Sequence, residues 1–191
     1  AVMTANIPIA EYSALQSLFN ATNGNYWRWR NITAEVQWVF SSGANPCTDN
    51  WQGIFCSANT NGTKDVIVLY HSDYRLEGQL PDSIGDFPQL QELVMSSSSL
   101  SGTIPNSITN LLSLRQLELS RNHLYGTLPR DIGRLLKLQQ AGFFGNNING
   151  SIPWSIGQLS ELAQFNVGYN ELTGTLPSSI TNLTKLSTLT L

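Results

Sequence analysis

The chain has 191 residues, of which 41% are hydrophobic and only 12% charged, so it can bury one substantial core beneath a weakly charged surface. A net charge of −3 excludes the strongly basic surface of nucleic-acid-binding proteins, and we expect no nucleic-acid partner. No apolar stretch reaches the ~20 residues that a membrane-spanning helix needs, so we also expect no membrane span in this segment.

Residues 1–65 are predicted to form an N-terminal cap that begins with a helix. Pro8 suits the start of this helix, and Gly24 lies just beyond its expected end. Apolar side chains recur at helical spacing on one stripe, at Tyr12, Leu15, Leu18 and Phe19. Four tryptophans follow, and they form either the core of the cap or a platform on which a ligand stacks; a core is the favoured interpretation. They are Trp27, Trp29, Trp38 and Trp51.

Two features predict an extracellular or cell-surface protein. Cys47 and Cys56 are the only cysteines, and their short separation suits one disulfide, with two free buried thiols as the alternative. Five N-glycosylation sequons also occur, which together favour a glycoprotein of the secretory pathway. Their asparagines are Asn20, Asn31, Asn61, Asn149 and Asn182.

Residues 66–191 repeat with a period of 24 residues, in five full units and the start of a sixth, with no C-terminal cap. Glycine, isoleucine and leucine positions keep the same period as a proline in every unit. The prolines are Pro81, Pro105, Pro129, Pro153 and Pro177. A strict period of this length indicates a solenoid, in which each unit buries its apolar side chains against its neighbours. Because a bare repeat end is poorly soluble, we expect the natural protein to continue or another molecule to cover this end.

Each unit contains a short alternation of apolar and polar residues that predicts a strand. In the third unit, Leu117 and Leu119 are expected to point inward. An asparagine follows the strand in three units, where a ladder of hydrogen bonds to neighbouring backbone is expected to satisfy its amide. These are Asn122, Asn146 and Asn170, with Tyr74 and Ser98 at the same position in the first two units.

The repeat L-x-x-L-x-L-x-x-N-x-L-x-G-x-I/L-P-x-x-I-G-x-L resembles the plant-type leucine-rich repeat of receptor-like kinase and receptor-like protein ectodomains and of polygalacturonase-inhibiting proteins. The segment from Pro46 to Cys56 is similar to the end of that family's N-terminal cap. The resemblance implies an α/β solenoid, a right-handed superhelix with a concave parallel sheet and a second, lateral sheet. The cap lacks the second cysteine pair of many plant members, which favours a source among other eukaryotes.

The sequence contains no cluster of titratable groups suited to catalysis, no metal-ligand spacing and no cofactor motif, so we expect neither an enzyme nor a cofactor. His71 is predicted at an inward strand position, and His123 lies between a turn asparagine and the next leucine. Glu92 and Glu118 are expected at one register of neighbouring strands, where a solvated pair is a simpler interpretation than a catalytic one.

The outward positions of the concave strands are the predicted binding surface. They carry aromatic and charged side chains of the kind that dominate binding hot spots, and no sequon lies among them. We expect a protein, peptide or glycan partner there, although ordinary surface variation is the alternative for any single residue. The candidates are Tyr70, Asp73, Glu92, Glu118, Arg121, Phe144, Asn166 and Tyr169.

Three other functions also fit the sequence. The chain is a structural subunit of an extracellular assembly, joined laterally or end to end, or it inhibits a secreted hydrolase, as the family resemblance implies. A column of hydroxyl side chains on the lateral strands is also compatible with ice binding. We prefer the explanation that these are ordinary surface residues, because hydroxyl side chains suit exposed β positions and a glycan on Asn149 would interrupt the face. The column contains Thr103, Thr127, Ser151 and Thr175.

Overall fold

A computed structural model describes residues 7–31, 34–58 and 62–191 of the chain. Within these ranges the protein contains one α-helix, α1 (Ile9–Ala21), and twelve short strands. The strands are β1 (Ile54–Ala58), β2 (Lys64–Tyr70), β3 (Glu77–Gln79), β4 (Glu92–Val94), β5 (Ser99–Ser101), β6 (Gln116–Glu118), β7 (Tyr125–Thr127), β8 (Gln140–Gly142), β9 (Asn147–Gly150), β10 (Gln164–Asn166), β11 (Glu171–Leu172) and β12 (Thr188–Thr190). Short 3-10 helices cover Gly24–Tyr26, Asp82–Asp86, Asn106–Asn110, Ile132–Arg134, Trp154–Gln158 and Ser178–Asn182.

The predicted N-terminal helix is confirmed. It starts directly after Pro8, and its inner face buries Leu15 and Leu18 completely. The helix ends before Thr22, whose hydroxyl donates a hydrogen bond to the Leu18 carbonyl at 2.6 Å. In the described residues no helix is long and apolar enough to cross a membrane.

The predicted solenoid is confirmed by a seven-stranded concave sheet in the order β1-β2-β4-β6-β8-β10-β12. From β2 to β12 the strands are parallel, and each residue lies opposite its equivalent in the next repeat, as Leu93 does with Leu117. The edge strand β1 runs antiparallel to β2, a feature that the repeat pattern did not predict. The sheet therefore extends from the repeats into the preceding segment.

The lateral strands form a second sheet in two pieces, β3-β5 and β11-β9-β7. A single bridge between Thr103 and Tyr125 joins the pieces. Side chains of one unit lie over a glycine of the next, and a Cβ on Gly126 would come within 2.9 Å of the Thr103 methyl group. Gly126 also has a φ of 79°, so both its backbone conformation and its close neighbour favour glycine.

The predicted asparagine ladder is confirmed in the interior. The Asn146 side chain accepts a hydrogen bond from the Leu124 N–H at 3.0 Å and donates to the carbonyls of Leu119 and Phe143 at 3.1 and 2.9 Å. Asn122 and Asn170 make equivalent bonds in their own units. Each amide thus links consecutive turns of the solenoid through groups that would otherwise be buried without partners.

An aromatic core covers the N-terminal end of the repeats, which confirms the core interpretation of the cap tryptophans. Trp27, Trp38 and Trp51 are buried, while Trp29 is partly buried against the same cluster. The predicted disulfide between Cys47 and Cys56 is present, with Cα atoms 5.6 Å apart, and it ties β1 to the preceding loop.

Candidate binding surface on the concave face

The N-terminal end of the concave face presents two exposed aromatic rings. Tyr70 lies at the end of β2 and is 43% exposed, and Phe55 on the neighbouring strand β1 is 51% exposed. Phe55 is paired with Val68, which lies two residues before Tyr70 on β2 and therefore faces the same side of the sheet. Sequence reasoning missed Phe55, although a short apolar run at 54–56 followed by the Asn-Gly dipeptide at 61–62 is a hairpin signal.

The middle of the face is acidic and amide-rich. The expectation that Glu92 and Glu118 share one register is wrong, because Glu92 lies opposite Gln116 and Glu118 lies opposite Val94. The two carboxylates are therefore offset by two residues along the strands. In residues 7–31, 34–58 and 62–191 the ion pairs are Arg28–Asp73 and Lys185–Glu161, so neither of the two central glutamates has a cationic partner.

The Glu118 carboxylate is held in a fixed position. Its Oε1 accepts hydrogen bonds from the Ser96 hydroxyl at 3.2 Å and from the Ser120 N–H at 3.0 Å. The other oxygen lies over Gly142, where any Cβ would overlap it. Gly142 in turn lies opposite Asn166 on the next strand. The Asn166 side-chain oxygen accepts a hydrogen bond from the Gly168 N–H at 3.3 Å. The polar centre is thus preorganised by the sheet.

The C-terminal end of the face presents a second pair of aromatic side chains, Phe144 and Tyr169. The ring centroids of Phe144 and Tyr169 are 4.9 Å apart with an interplanar angle of 54°. Tyr169 is 82% exposed, whereas Phe144 is half-buried because it leans over Gly168. Gly168 and Gly142 occupy outward positions of the concave side, but neighbouring side chains cover them and both are buried.

The residues that follow the strands form a column with a shared backbone conformation. All five have a positive φ, between 54° and 66°, which non-glycine residues adopt rarely. The column contains Asp73, Ser97, Arg121, Gly145 and Tyr169. Asp73 is engaged by Arg28 at 3.4 Å, whereas Arg121 is exposed and forms no ion pair with any described residue. The fold therefore places charged and aromatic side chains along one edge of the concave face.

The structure places seven of the eight predicted residues on the concave strands or in the column beside them, and Phe144 two residues beyond the end of β8. The eight residues do not form one cluster. Glu118, Phe144, Asn166 and Tyr169 lie on or beside consecutive strands, while Tyr70 lies at the opposite end beside Phe55. The described sequon asparagines lie elsewhere, and Asn61 is outside the described residues. Asn20, Asn31, Asn149 and Asn182 are exposed on the cap, the lateral strand β9 and the end of a 3-10 helix.

The two histidines have structural surroundings. His71 is fully buried among cap aromatics, and its Nε2 lies 3.0 Å from the Gln52 carbonyl oxygen. Burial lowers the pKa of His71 to about 3, so the ring is neutral and donates this hydrogen bond. His123 is exposed in the loop before the lateral strand β7. Neither ring lies on the concave face.

The comparisons with known proteins agree with this architecture. The leucine-rich-repeat family model matches residues 89–111, 113–135 and 161–183. Among curated proteins, no sequence matches the chain significantly. Among solved structures, the BIR2 ectodomain from Arabidopsis thaliana is similar, with 30% identity, a TM-score of 0.70, and coverage of 87% of this chain and 83% of that one.

Two further similar structures are proteins whose binding partner is known. The plant peptide hormone receptor RGFR1 in complex with RGF2 is 36% identical over 64% of this chain, with a TM-score of 0.63, and this chain covers 20% of that receptor. A plant ice-binding protein is 29% identical over 93% of this chain, with a TM-score of 0.73 and 54% of its own length covered. The chain thus spans only about a fifth and about half of these two proteins. All three are plant proteins, and the non-plant source stays a prediction.

Proposed function

Because this chain belongs to the leucine-rich-repeat family, we propose that it is an extracellular recognition module that binds a peptide or protein partner on its concave face. The observation that carries the proposal is the aromatic pair of the exposed Tyr169 and the half-buried Phe144, whose ring centroids are 4.9 Å apart at the C-terminal end of the concave face. Exposed aromatic side chains beside fixed polar groups are typical of the few residues that dominate binding energy. The peptide hormone receptor among the similar structures supports this type of ligand.

The charges of the face indicate what the partner carries. Glu92 and Glu118 have no cationic partner among the described residues, so a lysine or arginine of the partner would neutralise them. Four strand spacings separate β2 from β10, or about 19 Å, which an extended segment of about six residues spans. The expected ligand is therefore an extended segment with a basic residue near its middle and apolar residues toward its ends.

The disulfide and the sequons support an extracellular location. Disulfides persist in oxidising compartments, and the Cys47–Cys56 bond closes a short loop within the cap. Asn149 and Asn182 are exposed on faces other than the concave one, so glycans there would leave the proposed site open. A glycoprotein with a free concave face is the form we expect outside the cell.

Selection of ligands and truncation of the aromatic pair test the proposal. Random peptides displayed on phage are selected on the immobilised wild-type protein, and calorimetry then measures the dissociation constants of the selected peptides. The double variant Phe144→Ala/Tyr169→Ala is expected to bind at least about 100-fold more weakly, because two hot-spot side chains are lost. Selected sequences are expected to contain a lysine or arginine between apolar residues.

A matched control removes as much exposed apolar surface from another face. Leu112 and Leu136 are 51% and 58% exposed on the outer arc, so Leu112→Ala/Leu136→Ala is expected to bind the peptides normally. Circular dichroism checks that both variants fold. Equal binding by the wild type and the concave variant, or a loss caused by the outer-arc variant, would contradict the proposal.

Ice binding is a second candidate, favoured by the similarity to a plant ice-binding protein and by the exposed hydroxyl column of the lateral sheet. The methyl groups of Thr103 and Thr127 lie over Gly126 and Gly150, which orders these side chains. An assay of ice-recrystallisation inhibition tests this candidate. Activity that Thr103→Tyr/Thr127→Tyr abolishes and Phe144→Ala/Tyr169→Ala preserves would support it, and no inhibition by the wild type would exclude it.

A further inference from the structure

A groove with a volume of about 730 Å³ lies away from the concave face, between the 3-10 helices of the third and fourth repeats. This volume is in the range of small-ligand sites. The side chains of Thr127, Arg130, Asp131, Trp154 and Gln158 line it. The groove includes none of the residues assigned to the concave site, so it is independent of the function proposed for that face. Thr127 and Ser151 of the hydroxyl column also line it.

The groove arises from a local departure from the repeat. In the other repeats the 3-10 helix has five residues and follows the proline directly, as in Asn106–Asn110. In the third repeat it covers only Ile132–Arg134, and Arg130 and Asp131 lie in a turn before it.

Serine occupies the position of Asp131 in the other repeats, and in the fourth and fifth repeats it joins neighbouring repeats. The Ser155 hydroxyl donates to the Arg130 carbonyl at 2.6 Å, and the Ser179 hydroxyl donates to the Trp154 carbonyl at 2.6 Å. Asp131 makes no such bond among the described residues, and it does not cap the 3-10 helix that follows it. Asp131 thus lacks the inter-repeat bond that Ser155 and Ser179 make, and its carboxylate is free at the groove.

Trp154 forms an exposed aromatic wall of the groove. The indole is 64% exposed and makes no ring contact with another described aromatic side chain. The same position after the proline carries polar residues in the other repeats, namely Asp82, Asn106, Arg130 and Ser178. Packing of the solenoid therefore does not require an aromatic residue here.

The polar groups around the indole are available to a ligand. The side chains of Thr127, Arg130, Asp131 and Gln158 have no hydrogen-bonding or ionic partner in the described part of the chain. Together they offer donors, acceptors and one charge of each sign. Of the other apolar residues at the groove, Leu128 is only 3% exposed and Pro153 is partly buried, so Trp154 is the one large exposed apolar side chain there.

We propose that this groove is a carbohydrate-binding site for a neutral oligosaccharide of β-1,4-linked pyranoses. A pyranose with equatorial hydroxyls has an apolar C–H face that stacks on an indole, and its rim of hydroxyls both donates and accepts hydrogen bonds. An equatorial β-1,4 linkage keeps successive rings extended along an open groove, whereas an axial α-1,4 linkage curls the chain. The groove carries one charge of each sign, on Arg130 and Asp131, and this balance favours a neutral sugar over a uronic acid. A protein partner would be expected to meet several apolar side chains at such a site, and the groove offers one.

Titration with defined oligosaccharides tests the site. The probes are cellohexaose and chitohexaose, with maltohexaose as the α-linked control, and NMR follows the indole N–H signal of Trp154 in the full chain. At least one β-linked probe is expected to bind and shift this signal, and maltohexaose is expected to bind at least tenfold more weakly. Absence of binding by both β-linked probes, or equal binding by maltohexaose, would overturn the proposal.

Trp154→Ser is the decisive variant, because it recreates the Pro-Ser-Ser-Ile sequence of the fifth repeat and should fold. It is expected to bind the β-linked probe at least tenfold more weakly, whereas Tyr169→Ala is expected to bind it normally. Loss of binding in Tyr169→Ala alone would move the sugar to the concave face and overturn the assignment. Sedimentation of the wild type and Trp154→Ser tests one alternative: self-association that depends on Trp154, without sugar binding, would make the groove a contact between copies.

Discussion

At the scale of single residues, the junction between cap and repeats depends on a few polar groups in an apolar setting. The Gln52 side chain accepts hydrogen bonds from the Arg30 N–H and the Tyr74 hydroxyl, and its backbone carbonyl accepts one from Trp38. His71 donates to the same carbonyl. A buried donor or acceptor without a partner costs about 1–3 kcal/mol, so this network fixes how the cap sits on the first repeat.

Glu11 is the junction residue whose charge opposes folding. It is fully buried on α1, and one carboxylate oxygen accepts a hydrogen bond from the Val66 N–H at 2.8 Å. Burial raises the pKa of Glu11 from 4.5 to about 7, Asp65 adds to the increase, and the Val66 bond opposes it. The folded protein therefore holds a proton here that the unfolded chain releases at lower pH.

We predict that Glu11→Gln changes how stability depends on pH. Because the folded-state pKa is raised, the wild type is stabilised by this group at low pH and loses up to about 3 kcal/mol as the pH rises from 4.5 to 7. The glutamine keeps an acceptor for Val66 and removes the titration. Urea unfolding measured from pH 4 to 8 is expected to show that the free energy of unfolding of the variant rises relative to that of the wild type, by about this amount, as the pH increases.

The comparison between the two proteins removes the opposing effect of His71. The pKa of this histidine is lowered to about 3 by burial, so its contribution is lost as the pH falls below 6.5, but equally in both proteins. The difference in unfolding free energy between them therefore reports Glu11. A difference that stays constant across the pH range would refute this account.

At the scale of elements, α1 docks on the lateral strand β3 through backbone contacts. The Glu77 N–H donates to the Thr22 carbonyl at 3.1 Å, directly after the helix. Gly78 has a φ of 121°, and a Cβ there would overlap the carbonyl oxygen of Ala21. Only glycine allows the end of the helix to approach the strand this closely.

We predict that Gly78→Ala loosens the helix from the repeats. The matched control is Gly174→Ala, since Gly174 also has a positive φ but a Cβ there would lie 3.5 Å from Ser151. Backbone strain is expected to lower the free energy of unfolding of both variants by about 1 kcal/mol or more. Gly78→Ala is expected to lower it by about 1–2 kcal/mol beyond that, because of the Ala21 contact. Hydrogen exchange of the α1 amides should accelerate only in Gly78→Ala, and equal acceleration in both would show that the Ala21 contact is unimportant.

At the scale of the whole molecule, the 24-residue period was sufficient to predict the solenoid, its inward leucines and the asparagine ladder. Leucine positions recur throughout the repeats and the asparagine recurs in three of them, so the pattern of one unit predicts the packing of its neighbours. The antiparallel strand β1 and its exposed Phe55 were missed because they precede the period and occur once. The groove at Trp154 was missed for a related reason, since it comes from one shortened 3-10 helix.

The concave face was predictable in position but not in detail. Alternation along the strands identified the outward residues, but it could not show that Gly142 and Gly168 are covered by neighbouring side chains. These contacts depend on how Glu118 and Phe144 lean toward the next repeat. The shape of the concave surface thus depends on glycines in one repeat that make room for larger side chains of the repeat before it. The sequence of a single repeat does not show this.

In the core, too, a small side chain in one repeat lies opposite a large side chain in the next. The inward strand position carries Leu93, Leu117, Ala141 and Phe165 in successive repeats, and Ala141 lies directly opposite Phe165. Phe143, two residues beyond Ala141 on the same side, is also fully buried. The two phenylalanines therefore fill the space that a leucine at position 141 would occupy in a regular repeat.

We predict that restoring the repeat pattern with Ala141→Leu destabilises the protein by about 1–3 kcal/mol, because the added side chain overpacks the core against Phe165. Phe165→Leu alone is also expected to be destabilising, since it leaves a cavity. The double variant should be more stable than the sum of the single effects predicts, and urea unfolding of all four proteins gives the coupling energy. A coupling energy near zero would mean that the repeats relax independently, and the compensation between neighbouring turns would be rejected.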